Sequence, residues 1–114
     1  MQKSDRMRLR HMLDSAREAQ SFIRGEKRAS LDKDRKLVLS LVKSVEIIGE
    51  AAANVTKETR EGLPGIPWEN IIGMRNRLIH GYFDIDLDIL WQTIKEDLPP
   101  LVARLETAIL PEKE

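Results

Sequence analysis

Apolar side chains recur along this chain every three to four residues, the period of an α-helix with one buried face. Leu9, Met12, Leu13, Ala16, Ala19, Phe22 and Ile23 form the first such stripe. It predicts a helix capped by Ser4, running to about Arg24 and stopped by Gly25. After the polar hinge GEKRAS, Ser30 offers a second N-cap. Val38, Leu41, Val42, Val45, Ile48, Gly49 and Ala52 then predict a long helix from Leu31 to about Thr56. Gly49, Ala51, Ala52 and Ala53 lack bulk, so another backbone can approach closely there. Glu46 and Glu50, one turn apart, read as a polar edge or as a carboxylate able to orient an arginine across a cleft.

The stretch EGLPGIPWEN reads as a loop, with Pro67 suited to the first turn of a following helix. That third helix is expected from Trp68, its anchor, to about Ile79, with Ile71, Ile72, Met74, Leu78 and Ile79 apolar and Gly81 ending it. Asp84 or Asp86 can cap a fourth, LDILWQTIKEDL, whose core side carries Leu87, Leu90, Trp91, Ile94 and Leu98. Pro99-Pro100 either kinks this helix or separates it from a last one, Leu101 to Leu110. No segment alternates as a strand does. The expected fold is all-α, an up-and-down bundle of four to five helices forming a single domain over residues 1–114.

Composition narrows the function. Aromatics are only 4%, so the core is aliphatic. The absence of cysteine excludes disulfides, thiolate metal sites and cysteine nucleophiles, and fits a reducing cytosol. No apolar run approaches the ~20 residues that span a bilayer, and the N-terminus lacks the apolar region of a secretory signal. A soluble cytoplasmic protein is expected, with no membrane association. Net charge is zero, but residues 1–36 carry 11 basic and 6 acidic residues against 8 and 13 in residues 37–114. Either the first helix offers an acidic partner a basic face, or the two halves neutralise each other within the fold. Arg6, Arg10, Arg17 and Arg24 recur at helical spacing, as a solvated face or a nucleic-acid surface.

The candidate chemistry lies in RNRLIHGYFDID, where Arg75, His80 and the lone tyrosine, Tyr82, meet at a helix end. Histidine exchanges a proton near neutral pH, and a guanidinium matches phosphate oxygens. Such a pair suits RNA cleavage without a metal: a base takes the proton of a ribose 2′-OH, which attacks the adjacent phosphate, and the arginine stabilises the developing charge. On a continuous helix, positions five apart differ by about 140° in azimuth, so Arg75 and His80 would not share a face. The helix must end and turn His80 back, or two chains must combine. The plainer reading is a helix terminus with polar groups. His11 and His80 fit no metal-ligand spacing, and no phosphate loop or nucleotide fingerprint calls for a cofactor.

At these residues the chain resembles the HEPN superfamily, specifically its HepT-like toxin branch. Arg75, Asn76, His80 and Tyr82 match the R-x4-H-x-Y form of the HEPN motif, with the polar residue common after the arginine. VEIIGEAAANV, IPWENIIGMRNRLIHGYFDID and LDILWQTIKEDLPPL extend the resemblance over nearly the whole chain. It implies a helical bundle that forms a homodimer with two motifs facing across a cleft. It also implies a metal-independent endoribonuclease, the toxin of a type VII toxin–antitoxin pair, with tRNA as the expected target. His80 would be the acid/base, Arg75 the phosphate-binding group, and Asn76 a supporting one. An MntA-like nucleotidyltransferase antitoxin would transfer AMP onto Tyr82, placing charge and bulk in the cleft. The alternative is a non-catalytic HEPN module that binds and regulates a nucleotidyltransferase.

Overall fold

The computed structural model describes residues 1–81 and 84–109. Helix α1 (Lys3–Phe22) buries Leu9, Met12, Leu13, Ala16 and Ala19, the predicted stripe, but leaves Phe22 exposed at its end. Gln2, not Ser4, is its N-cap, and no side chain caps it. Gly25, at φ 73°, follows its end as expected.

The predicted second helix is two. A short α2 (Ser30–Lys33) precedes α3 (Arg35–Ala53), and the break lies at Asp34, whose backbone is extended. The Asp34 carboxylate accepts the Leu37 N–H at 3.0 Å, so Asp34 rather than Ser30 caps the long helix. Ser30 instead accepts the Lys27 N–H.

Helix α3 stops at Ala53, and Thr56 caps a further helix that apolar periodicity does not reveal, α4 (Lys57–Gly62). Its sequence, KETREG, has no apolar stripe. A buried carboxylate on α1 secures it. Asp5 accepts the Thr56 N–H at 3.0 Å and the hydroxyls of Thr56 and Thr59, each at 2.6 Å. Burial alone would raise the pKa of Asp5. The hydrogen bonds from Thr56 and Thr59, with the nearby charge of Arg8, outweigh it and hold the carboxyl below its usual range. Trp68 is the anchor its position suggested: its indole N–H is shared between the carbonyls of Arg60 and Leu63, both at 3.2 Å.

The third predicted helix divides at Gly73 into α5 (Trp68–Ile72) and α6 (Met74–Leu78). The backbone ladder nearly bridges the break, since Gly73 donates to Glu69 and accepts from Arg77. This pair of short helices lies hard against α3 at Gly49. A methyl group there would stand 3.5 Å from the Ile71 carbonyl oxygen and 3.6 Å from that of Ile72. At Gly49, α3 thus meets another backbone, as expected there.

Of the two candidate caps, Asp86 starts α7 (Leu87–Gln92), accepting the Ile89 N–H at 3.0 Å. A π turn (Thr93–Asp97) follows, then α8 (Leu98–Ile109). Pro99 and Pro100 therefore separate no helix; they sit in the opening turn of α8. The ladder widens to five-residue spacing just before them, where the Leu98 N–H donates to the Thr93 carbonyl.

Buried side chains from these helices form one aliphatic cluster, with α1 packed along α3 and α8. The fold is an all-α bundle. Among the described residues no strand forms, only an isolated bridge between Ile79 and Ile85. No helix of the described residues is long and apolar enough to cross a membrane. Ion pairs join the basic first third to the acidic remainder: Arg17 with Glu106, and Arg28 with Asp88 at 2.6 Å. The bond to Asp88, with Asp32 assisting, pushes the Arg28 pKa up. Mutual neutralisation of the two halves is therefore built into the fold at these points.

Candidate active site

Helix α6 has five residues, and its end decides where His80 goes. The Leu78 carbonyl accepts the Asp86 N–H at 2.7 Å from the returning chain, and the His80 N–H donates to the Asp84 carbonyl at 2.8 Å. The helix therefore stops at Leu78, with Ile79 extended, and not at Gly81. Gly81 lies in the reversal itself, at φ 146°, a conformation other residues rarely adopt. His80 is off the helix, so the azimuth that would separate it from Arg75 on a continuous helix no longer applies. Its ring is half exposed, and Nε2 lies 4.0 Å from Asp86 Oδ2, an ion pair when the imidazole is protonated.

Arg75 remains on α6 and reaches back to α3. Its Nε donates to Glu46 Oε2 at 2.8 Å. Among the described residues its terminal nitrogens bond to nothing, so the outer edge of the guanidinium is open to a ligand. Glu46 is the orienting carboxylate that the sequence offered as one of two options. One turn along α3, Gly49 faces the Ile71 and Ile72 carbonyls of α5, the helix that leads into α6.

Arg75 stands between two grooves. One, of about 400 Å³, carries the charged and amide side chains Lys43, Glu50 and Asn76 beside Arg75 and Glu46. The other, of about 480 Å³, is lined by Leu39, Val42, Ile79 and Ile85, with Arg35 and Gly81. Leu39, in the second turn of α3, is 48% exposed. Asn76 is exposed beside Arg75, and its side chain makes no hydrogen bond to a described residue. The structure thus brings Arg75, Asn76 and Glu46 to one groove and sets His80 beside Asp86 in the adjoining reversal. Tyr82, the expected modification site, lies outside the described residues.

Two neighbours were not singled out from the sequence. Lys43 shares the α3 face of Glu46 and Glu50 at helical spacing, a signal drowned by many equivalent charges. Asp86 was read only as a cap; that it also meets His80 depends on the reversal. Among the described residues no three His, Asp or Glu side chains gather as a metal site.

Residues 12–108 match the family model described as Ribonuclease HepT-like. A protein of Caldanaerobacter subterraneus subsp. tengcongensis, named only as a candidate RNase, is 37% identical over 97% of this chain and 99% of its own length. "Probable ribonuclease HepT" of Thermococcus cleftensis is 41% identical over 64% of this chain and 66% of its own. A candidate RNase of Methanocaldococcus jannaschii is 34% identical over 83% and 87%. No solved structure matches the chain significantly.

Proposed function

The chain belongs to the HepT-like ribonuclease family, and on that premise we propose that it is a cytoplasmic endoribonuclease toxin acting without a metal ion. The observation that carries this reading is Arg75, tethered through Nε to Glu46 with its outer edge free at a groove shared with Lys43 and Asn76. That is the arrangement a phosphate-binding guanidinium needs: fixed in direction, open at the fork.

In this reading, residues 1–114 form one HEPN domain and His80 is the acid/base. It removes the proton of a ribose 2′-OH, and the oxygen attacks the adjacent phosphorus. The bond from phosphorus to the 5′-oxygen breaks, and that oxygen takes up a proton. The products are a 2′,3′-cyclic phosphate and a 5′-hydroxyl. Arg75 stabilises the charge on the phosphate oxygens, and Asn76 positions the strand. A second copy supplies the second histidine, one acting as base and the other as acid. The exposed Leu39 and the apolar groove next to Arg75 support a two-fold pairing across this face.

A tRNA is the proposed substrate. The proposed antitoxin is an MntA-like nucleotidyltransferase, the pair forming a type VII toxin–antitoxin system. The Tyr82 phenol would attack the α-phosphorus of ATP, forming the AMP ester and releasing pyrophosphate. Two residues past His80, that ester would set negative charge and bulk in the cleft. Incubation of tRNA with the protein in excess chelator tests the chemistry. Fragments ending in 2′,3′-cyclic phosphate support it; cleavage that stops on chelation, or fragments with 3′-hydroxyls, refutes it. Mass spectrometry after incubation with the antitoxin and ATP should find AMP on Tyr82, and modification elsewhere would remove that part.

A further inference from the structure

The face of α6 turned away from Arg75 lines a separate pocket. It is about 370 Å³ and lies between α6, the loop before α5 and the start of α8. Its floor is apolar, including Ile71, Met74 and Leu101. Its charged groups are Arg77, Arg104 and Asp97, with Asn70 beside them. Neither guanidinium makes a hydrogen bond or ion pair with a described residue, although Asp97 lines the same pocket. Arg17, Arg28 and Arg75, by contrast, are each held by a carboxylate.

Two glycines give these guanidiniums their room. A methyl group on Gly65 would come within 2.8 Å of an Arg104 terminal nitrogen and would push it aside. One on Gly73 would lie 3.5 Å from Arg77. Two unpaired guanidiniums at one concave site with a single opposing carboxylate make a net positive pocket with room for neighbouring phosphates of one strand. Arg77 and Arg75 stand two residues apart on α6, on opposite sides of a helix about 10 Å across. A strand bound at Arg75 need cross only that one helix to reach the second pocket.

We infer that Arg77 and Arg104 form a second phosphate-binding station, which holds the RNA backbone a short distance from the bond cut at Arg75. The inference rests on the ribonuclease reading, because it assigns the anion to the same strand. The station adds affinity and register, not chemistry, and Asp97 weakens it by repulsion.

Binding of a short, labelled single strand with 2′-O-methyl riboses tests this on the full chain, since that strand has no 2′-OH to attack. Affinity is measured over a range of salt. Each phosphate contact on a single strand contributes about 0.7 to the slope of log K against log salt, so the Arg77→Gln/Arg104→Gln double variant should lose about 1.4. Each single variant should lose about half of that, which covers any folding failure of the double variant. Asp97→Asn should bind more tightly than wild type. An unchanged slope, or no gain from Asp97→Asn, overturns the station. So does saturable binding of 5′-AMP that the double variant loses while the strand's salt slope stays as in wild type. A wild type that cleaves RNA beside a double variant with an unaltered slope refutes the station alone; no strand binding by any form refutes both it and the ribonuclease reading.

Discussion

Arg75 on α6 is held edge-on by Glu46 on α3, Nε to Oε2 at 2.8 Å, with the side chains 49% and 28% exposed. So exposed a pair contributes little to stability, on the order of 0–1 kcal/mol. Its effect is on direction. Glu46→Ala is expected to leave the melting temperature nearly unchanged while lowering the rate of RNA cleavage by about tenfold to a hundredfold, the cost of a misplaced charged group. Glu46→Gln should recover part of the rate, since an amide oxygen still accepts the Nε–H. Arg75→Lys should not, because an ammonium cannot be gripped at one edge and open at another. A Glu46→Ala enzyme of wild-type rate would show that the tether is incidental.

Asp5 is the structural counterpart: a fully buried carboxylate whose partners lie on another helix. Asp5→Ala leaves the Thr56 amide and two hydroxyls without their acceptor and should cost about 2–4 kcal/mol in denaturant unfolding. The pH dependence has a fixed sign. The folded pKa lies below the unfolded one, so between them the unfolded chain holds more protons and stability rises with pH. The contribution is complete above the unfolded value of about 3.9 and is lost as pH falls through the folded one. Stability of the wild type should therefore decline below about pH 5 more steeply than that of Asp5→Asn, and parallel curves would contradict the assignment.

At Gly49 the contact with α5 sets a size limit. A methyl group there meets the Ile71 and Ile72 carbonyls at ordinary van der Waals distance. Gly49→Ala should thus be neutral or stabilising by up to about 1 kcal/mol, through helix propensity. Gly49→Val should push α5 away, costing about 1–3 kcal/mol and lowering cleavage through Arg75 on the adjoining helix. Thermal unfolding and cleavage rates of the two variants check this; a stable, fully active Gly49→Val would contradict it.

Gly81 holds φ 146° beside His80. Gly81→Ala should cost about 1–3 kcal/mol in backbone strain and reduce cleavage by displacing the histidine. Equal stability and rate would mean that the reversal relaxes freely.

Much of this architecture was legible in the sequence because a buried stripe repeats wherever a helix packs. The inward faces of α1 and α3, the buried positions Leu90, Ile94 and Leu98, the indole anchor at Trp68 and the close approach at Gly49 all followed from periodicity and side-chain size. What escaped had no such signature. Helix α4 is polar on every side and stands on hydrogen bonds from a residue 51 positions away, Asp5 to Thr56. The break at Asp34 looked like any charged position, since a mid-stripe aspartate and an N-cap are the same letter. Of the two expectations for Pro99-Pro100, a kink or a separation, the separation fails: the π turn runs straight on into α8. For the site, residue types and spacing singled out Arg75 and His80, the resemblance added Asn76, and Glu46 was one of two carboxylates offered as a tether. The end of α6 at Leu78 depends instead on the Leu78–Asp86 and His80–Asp84 hydrogen bonds, which only the folded chain reveals.

The central claim is that Arg75 and His80 cut RNA. Its most direct test is single-turnover cleavage of tRNA in chelator by wild type, His80→Ala and Arg75→Ala, with folding checked by circular dichroism. The expected result is cleavage by wild type and a loss of roughly 10²–10³-fold in each variant. Wild type and both variants leaving the RNA equally intact, or cutting it at equal rates, would contradict the claim.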